Sequence, residues 1–597
     1  MTPSIQAFLN VKTADHPVYH PSGEELTFIS TLSGLPQVWA LKTGSGEPFQ
    51  VVTTDERIMF VSYLGQTTKR IIGMDEGVNE RAQLFTLHES GELEPLTNSP
   101  DHIHRYGGSS PDGNWISWAS NRREKAFFDI YIQNTETKAI REVYSGNGTF
   151  GALLWHPDGE HLLIEKTTSN LDNDLGLLSL QTGQVDWLTS HEGEAHFSSP
   201  HFNADGSFLY VLTNVGVEFA GLAELNLQDG NLAWLDQPEW DLEELTINQT
   251  KDKLAYAVNA DGRSVGWLYD LESKEKRTWD TPQSALTELK FSPNGNQLCY
   301  VLNGASHPTD IWELDLSTFQ SKRLTFVSHA PEVQDHLTEP ALVQFKSFDG
   351  LNIPAFYYKP KTVTGPLPVV VFVHGGPESQ IRSVYNPFLQ YFISKGYAVC
   401  TPNVRGSSGY GKTYIHLDDV RKRMDSVKDL TALVDWLKDE GQADSEKIAV
   451  MGRSYGGFMV LAAITHYPDI WAAGIDIVGI SSFRSFLKNT SVWRRKLREV
   501  EYGSIEADGD YFDAIDPIHR TDAIQCPLLV LHGANDPRVP IEETEQMVDA
   551  LKARNHPVDY VRFEDEGHFF VKTKNNITAY STVADFLDQY VQGANKN

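Results

Sequence analysis

Residues 110–120, SPDGNWISWAS, read as a tight turn feeding a strand. Proline and glycine punctuate the chain there, aspartate can bond back to its own backbone, and an apolar run follows. The same grammar returns at 20–30 (HPSGEELTFIS), 156–166 (HPDGEHLLIEK), 203–213 (NADGSFLYVLT) and 292–302 (SPNGNQLCYVL). Degenerate copies at 64–74 (LGQTTKRIIGM) and 248–258 (NQTKDKLAYAV) bring the count to seven. A second strand follows each turn, with central residues Trp39, Phe85, Tyr131, Leu177, Leu222, Trp267 and Trp312, spaced by 46, 46, 46, 45, 45 and 45. A period near 45 with all-β content is the blade length of a propeller, in which each four-stranded blade buries its faces against its neighbours. The ruler predicts a seven-bladed β-propeller over about residues 20 to 335, with the strand tryptophans and tyrosines as core.

After Leu324 the grammar changes. Apolar strands alternate with amphipathic helices in LPVVVFVHGG (from Leu367), YAVCTPNVRG (from Tyr397), SVKDLTALVDWLKDEG (from Ser426), KIAVMGRSYGG (from Lys447) and CPLLVLHGAND (from Cys526). Continuous apolar strands with helical crossovers are the signature of a doubly wound α/β domain. The expected organisation is therefore a propeller over 1–335 and an α/β-hydrolase domain over 336–597, with residues 1–20 an extension packing on the latter. Ligand chemistry in such sheets sits at the carboxyl ends of the strands.

Composition limits the function classes. The 597 residues carry a formal charge of −30 without a Lys/Arg-rich stripe, which opposes binding to nucleic acid or to an anionic membrane. No stretch approaches the roughly 18 apolar residues of a spanning helix, and the N-terminus lacks the basic and apolar regions of a signal peptide. Cys299, Cys400 and Cys526 are odd in number and without CxxC spacing, which fits a reducing cytoplasm. No His/Glu or Cys cluster has metal-ligand spacing, so neither metal nor cofactor is expected.

Gly452-Arg453-Ser454-Tyr455-Gly456 fits G-x-S-x-G between a strand (Ile448–Met451) and a helix-like run. Glycines are required because a strained, outward-pointing serine leaves no room for neighbouring side chains. Asp536 ends the strand LLVLHGAND, 82 residues after Ser454, and His568 lies a further 32 on, in DEGHFF after the last strand. The order serine, acid, histidine is the one this architecture demands, and it nominates Ser454, Asp536 and His568 as a triad. The acids Glu564, Asp565 and Glu566 beside His568 read as a solvated loop. His374-Gly375-Gly376-Pro377 ends another strand, so the oxyanion donors are expected to be the backbone N–H groups of Tyr455 and Gly376.

A seven-bladed propeller followed by HGGP, NVRGSSGYG (403–411), GRSYGG, NDPRVP (535–540) and EGH resembles the prolyl oligopeptidase family of serine peptidases, most closely its acylaminoacyl-peptidase branch. The resemblance implies a propeller that caps the active site and admits short peptides, and an Arg538 that helps hold the peptide or local loops. Departures accompany it. His374 stands where relatives carry an oxyanion tyrosine, and the only candidate for the glutamate pair by which dipeptidyl peptidases bind a free amine is Glu243-Glu244, read here as a structural connector. Phe569 replaces the usual glycine after the histidine.

The stretch from Val478 carries Phe483, Phe486 and Leu487, expected to wall an apolar pocket for the substrate side chain, with plain core packing the alternative. Arg494, Arg495 and Arg498 either face an anionic substrate group or form a salt-bridged helix surface. The resulting expectation is a peptidase that releases blocked N-terminal residues from short peptides through an acyl-enzyme. Dipeptidyl or carboxy-terminal cleavage and carboxylesterase activity are the alternatives, and self-association as a homo-oligomer stays open.

Overall fold

The computed structural model describes residues 2–593 except 45, 362 and 364. Seven four-stranded antiparallel sheets follow one another along the chain, spanning 14–50, 58–95, 104–144, 149–187, 197–236, 242–278 and 285–323. They are blades 1 to 7 below. Every ruler residue, from Trp39 to Trp312, lies in the third strand of its blade. The Pro-Asp-Gly turns join first to second strands, and their glycines take the left-handed φ that such turns need, as at Gly113 (+74°) and Gly206 (+79°).

Each blade begins with a strand that precedes its turn, and each of these strands is bulged. The bulge residues His16, Ser199, Glu244 and Glu288 have positive φ, which bends the strands where they crowd at the centre of the ring. Glu243 and Glu244 belong to such a strand, Leu242–Ile247 of blade 6, rather than to a connector. The ring closes by packing: Ala14, Leu26, Phe28 and Leu41 of blade 1 share an apolar cluster with Cys299, Val301 and Ile311 of blade 7.

The second domain holds an eight-stranded sheet. Its strands are β1 (Ala341–Lys346), β2 (Asn352–Tyr358), β3 (Leu367–Val373), β4 (Ala398–Pro402), β5 (Ala443–Arg453), β6 (Ala473–Ile477), β7 (Leu528–Gly533) and β8 (Val558–Phe563), in the order β1-β2-β4-β3-β5-β6-β7-β8. From β4 to β8 all pairings are parallel. Val369, Val371 and Val373 point to one apolar cluster and Val370 to another. Helices cover both faces, so each strand is apolar at consecutive positions.

The N-terminal helix Ile5–Leu9 is capped by Ser4 and packs on this domain, with Ile5 beside Phe392 and Tyr385 donating its hydroxyl to the Phe8 carbonyl at 2.7 Å. The hairpins between second and third strands of the blades face the catalytic sheet. Asn170 of blade 4 bonds Glu378, Glu218 of blade 5 accepts from Thr413, and Asn259, beside the blade 6 hairpin, bonds Gln380. The propeller therefore presents one rim to the carboxyl ends of the parallel strands.

Candidate active site

Ser454 sits between β5 and the helix Tyr455–His466 with φ 60° and ψ −122°, a strained geometry for a residue with a Cβ. Its neighbours enforce the turn. A Cβ on Gly452 would strike the Gly456 carbonyl, and one on Gly456 would strike the Val373 carbonyl. A Cβ on Gly375 would lie 2.7 Å from the Arg453 carbonyl oxygen and 3.1 Å from Ser454 Cβ. The HGGP segment thus lies directly against the elbow. Gly376 takes φ +60°, and neither its N–H nor that of Tyr455 has a backbone acceptor among the described residues. The His374 imidazole is buried and turned away, its Nε2 2.9 Å from the Ser407 hydroxyl.

Asp536 and His568 meet at 2.6 Å between Oδ2 and Nδ1. The Asp536 carboxylate is fully buried, and its Oδ1 accepts from the N–H groups of Arg538 (2.8 Å) and Val539 (3.0 Å). His532 Nε2 stands 3.5 Å from Oδ2. Burial works to raise the Asp536 pKa, but the charge of His568 and the hydrogen bonds from both histidines outweigh it and hold the group below the carboxylate range. For His568 burial prevails over Asp536 and lowers the pKa, which favours the neutral imidazole that a general base requires. The half-buried Ser454 makes no side-chain hydrogen bond among the described residues. Contacts of this kind are often open without substrate.

Arg453, the residue before the serine in the elbow, ties it to the histidine loop and the last helix. Its guanidinium donates to the His568 carbonyl at 3.1 Å and to the Tyr580 hydroxyl at 3.0 Å. Phe569, 42% exposed, lies edge-on to His568 with the guanidinia of Arg453 and Arg538 over its ring at 5.5 and 5.0 Å. The acidic run beside His568 is not uniformly solvated. Glu566 is fully buried and accepts from the N–H groups of Val571 and Lys572, anchoring the start of the helix Thr573–Leu587. Glu564 and Asp565 are exposed.

Phe483, Phe486 and Leu487 are buried in the core of the domain. The Phe483 ring packs on Phe458, Tyr502 and Phe512, and Phe486 meets Tyr502, whose ring stacks on Tyr455. Below Tyr455, Arg423 pairs with Asp418 and Glu501. Asp418, Asp419 and Glu501 have the spacing of a metal cluster, but this guanidinium supplies the positive charge there.

Sequence reasoning gave no hint of Glu80. The blade 2 hairpin carries Val78 against Gly567 of the histidine loop and Glu80 against Arg538, 2.8 Å from Oε1 to Nε, and against Arg494 at 3.4 Å. Glu378, next to HGGP, faces Asn170 and Arg498. Arg382 binds Glu243, which also accepts from Asn259. Of the three arginines in doubt, Arg494 and Arg498 face inward to these acids, while Arg495 donates to the Lys488 carbonyl at the surface.

A β-propeller seated over an α/β-hydrolase elbow, with a buried acid bonded to a histidine beside it, defines a serine hydrolase with a capped site. The comparisons fix the family. The profile of the prolyl oligopeptidase family matches residues 384–594. The dipeptidyl peptidase family member 6 of Caenorhabditis elegans is 31% identical over 79% of this chain and 69% of its own length. The dipeptidyl aminopeptidase BIII of Pseudoxanthomonas mexicana is 26% identical over 96% of this chain and 86% of its own. A puromycin-hydrolyzing peptidase of Mycobacterium tuberculosis superposes with a TM-score of 0.86 at 22% identity, covering 99% of this chain and 96% of that one. The chain belongs to the prolyl oligopeptidase family and is a serine peptidase.

Proposed function

We propose that Ser454 is the nucleophile, His568 the general base and acid, and Asp536 the group that orients the imidazole and stabilises its charged form. Ser454 attacks the scissile carbonyl of a short peptide as His568 takes its proton. The N–H groups of Tyr455 and Gly376 receive the oxyanion. The amine leaves with the proton from His568, and water, deprotonated by His568, releases the acyl group from Ser454. The Asp536–His568 bond at 2.6 Å, beside the glycine-built elbow of Ser454, is the observation that carries this reading.

The substrate reading follows from charge. A peptide with a free amine brings an ammonium, which needs an uncompensated carboxylate. Three of the acids named at the rim already have a guanidinium, Glu80 with Arg494 and Arg538, Glu378 with Arg498, and Glu243 with Arg382, while the fourth, Glu218, is taken up by the N–H and hydroxyl of Thr413. This pairing favours release of blocked N-terminal residues, with Arg538 holding the peptide and Phe483, Phe486 and Leu487 backing the acyl pocket. Dipeptidyl release is the second reading, favoured by the names of the two long relatives, and would have an ammonium displace an arginine from Glu80.

The deciding experiment compares initial rates on an N-acetyl-aminoacyl anilide, a free-amine dipeptidyl anilide and a nitrophenyl ester, with the wild type and Ser454→Ala. The first substrate leads if the blocked reading holds, and the alanine variant loses all three activities. A lead for the free dipeptide transfers the assignment to dipeptidyl release. Undiminished rates in the variant refute the triad.

A further inference from the structure

Between the propeller rim and the catalytic domain lies a cavity of about 400 Å3. Phe60 and Tyr106 of blades 2 and 3, stacked at 5.4 Å, and Trp493 of the helix Val492–Tyr502 are among its apolar walls. Its polar lining is unequal in charge. Arg105, Arg494 and Arg538 all border it, and Glu80 is the one carboxylate of the lining. Arg57 also borders it but is matched by Asp75 at 2.8 Å, and His104, its pKa lowered to about 4 chiefly by burial, is uncharged.

Arg105 is the informative residue. Its guanidinium lies over the Phe128 ring at 3.9 Å and the Trp493 ring at 5.0 Å. Among the described residues it has no ion pair and no hydrogen bond. The two rings meet nearly at right angles (80°), so the guanidinium lies against the Phe128 face in the corner they form, and this cation–π contact uses none of its N–H donors, which stay available to a planar anion. The nearby charges do not compensate the cluster. Burial lowers the Arg105 pKa, with only Glu165 acting against it. Arg494 is pulled down to about 10 by burial first and then by Arg538, with Arg498 and Arg105 adding to the effect against the pull of Glu80. A second anion would relieve a repulsion that Glu80 alone does not cancel.

One residue of the lining, Arg538, also borders the triad. The Arg538 N–H caps Asp536, and the Arg538 guanidinium covers Phe569 beside His568. Thr490 and Ser491, at the start of the arginine-bearing helix, donate to the carbonyls of Arg538 and Pro537. Arg538 and this helix therefore link the wall of the cavity to the loop that carries Asp536.

We propose that this cavity is a subsite for a carboxylate-bearing residue of the substrate, aspartate or glutamate close to the scissile bond, received by Arg105 and Arg494 with Trp493 and Phe60 covering its methylenes. The proposal rests on the peptidase reading above and narrows its substrate class to acidic short peptides. Charge-assisted, planar pairing with a guanidinium distinguishes the acid from its amide, which keeps the shape and loses the charge.

The experiment uses the full chain and a set of N-acetylated dipeptide anilides and internally quenched pentapeptides. Asp or Asn, and Glu or Gln, are placed in turn at the two positions on either side of the cleaved bond. The expected result is a kcat/KM ratio of acid to amide of about tenfold or more at one position. Arg105→Gln and Arg494→Gln bring that ratio toward one, while Arg105→Lys keeps part of it. In Ser454→Ala, titration calorimetry with the preferred acidic peptide shows binding that weakens with added salt and is lost with Arg105→Gln. Ratios near one at every position overturn the proposal, as does a ratio unchanged in both glutamine variants. A neutral peptide with alanine at every varied position, run alongside, reports separately on the peptidase reading: its cleavage by wild type and not by Ser454→Ala upholds that reading even where the acidic preference is absent.

Discussion

Asp476, at the end of β6, provides a quantitative test of the elbow's surroundings. Its carboxyl is fully buried against Gly457 and Gly479, and among the described residues neither oxygen has a partner at full hydrogen-bond geometry. Burial, opposed by the charge of His532 and by the nearby Gly479 N–H, pushes its pKa from 3.8 to about 7. A group whose folded pKa is raised stabilises fully below its unfolded value and loses that contribution as pH rises through the folded one. At 1.36 kcal/mol per unit, roughly three units amount to about 4 kcal/mol, lost between about pH 4 and pH 7. Asp476→Asn removes the titration and leaves the shape. Over pH 5 to 8 the stability of the variant relative to wild type is expected to rise by about 2–3 kcal/mol, or about 5–10 °C in Tm for a domain of this size. Glu543, pushed to about 7 mainly by burial, titrates in the same window in both proteins and cancels in the difference. Scanning calorimetry of both proteins in matched buffers reads it. Any cost of the new amide is a constant offset, so only the slope matters. A Tm difference independent of pH would refute the account of Asp476.

Other consequences follow from the site. The lowered His568 pKa sets an acid limb in kcat/KM, with activity rising with pH through an apparent value below 6.5; a limb above 6.5 in the pH profile contradicts the burial argument. Gly375→Ala places a methyl 2.7 Å from the Arg453 carbonyl and displaces the oxyanion loop, so kcat is expected to fall about 100-fold with the far-UV spectrum retained. Arg453→Leu removes the clasp on the His568 carbonyl and is expected to lower kcat about 10- to 100-fold with a smaller change in KM, measured by steady-state kinetics. Arg538→Ala frees one side of Glu80 and should shift the kcat/KM ratio of free-amine to acetylated anilide upward by about tenfold, by the strength of one charge-assisted contact; an unchanged ratio removes Glu80 from amine selection.

The blades were legible because their turns repeat a local requirement: five of the seven carry a glycine with positive φ at the fourth position, where Lys251 takes that φ in blade 6, and the third strand follows at a fixed distance. The first strands were not, because their bulges at His16, Ser199, Glu244 and Glu288 break the alternation by which strands are read. That is how Glu243 and Glu244 came to look like a connector. Glu566 illustrates a second limit. Nothing local separates it from Glu564 and Asp565, and only the start of the following helix, folded back on the loop, buries one acid of three. In the site, the elbow, the acid and the histidine each carry a neighbourhood signature. Glu80, more than 400 residues from its partners Arg494 and Arg538, carries none, and a cross-domain pair of this kind leaves no mark in a single sequence.

This division between legible and illegible residues follows the division of labour in the molecule. Chemistry at Ser454 requires strained backbone and tight glycine contacts, so its residues cluster in motifs within one domain. Selection requires only that charges from two domains balance around a shared space, and any blade hairpin can supply one side. The chain as a whole carries −30, yet four guanidinia line one cavity under the propeller rim, with Glu80 the one carboxylate in its lining. Exposed charges beyond the Debye length of about 8 Å at physiological salt are largely screened from such a cluster. The global charge thus governs encounter and the local arginines govern retention, so replacing Arg105 should alter which bound peptides stay and react more than how often peptides arrive.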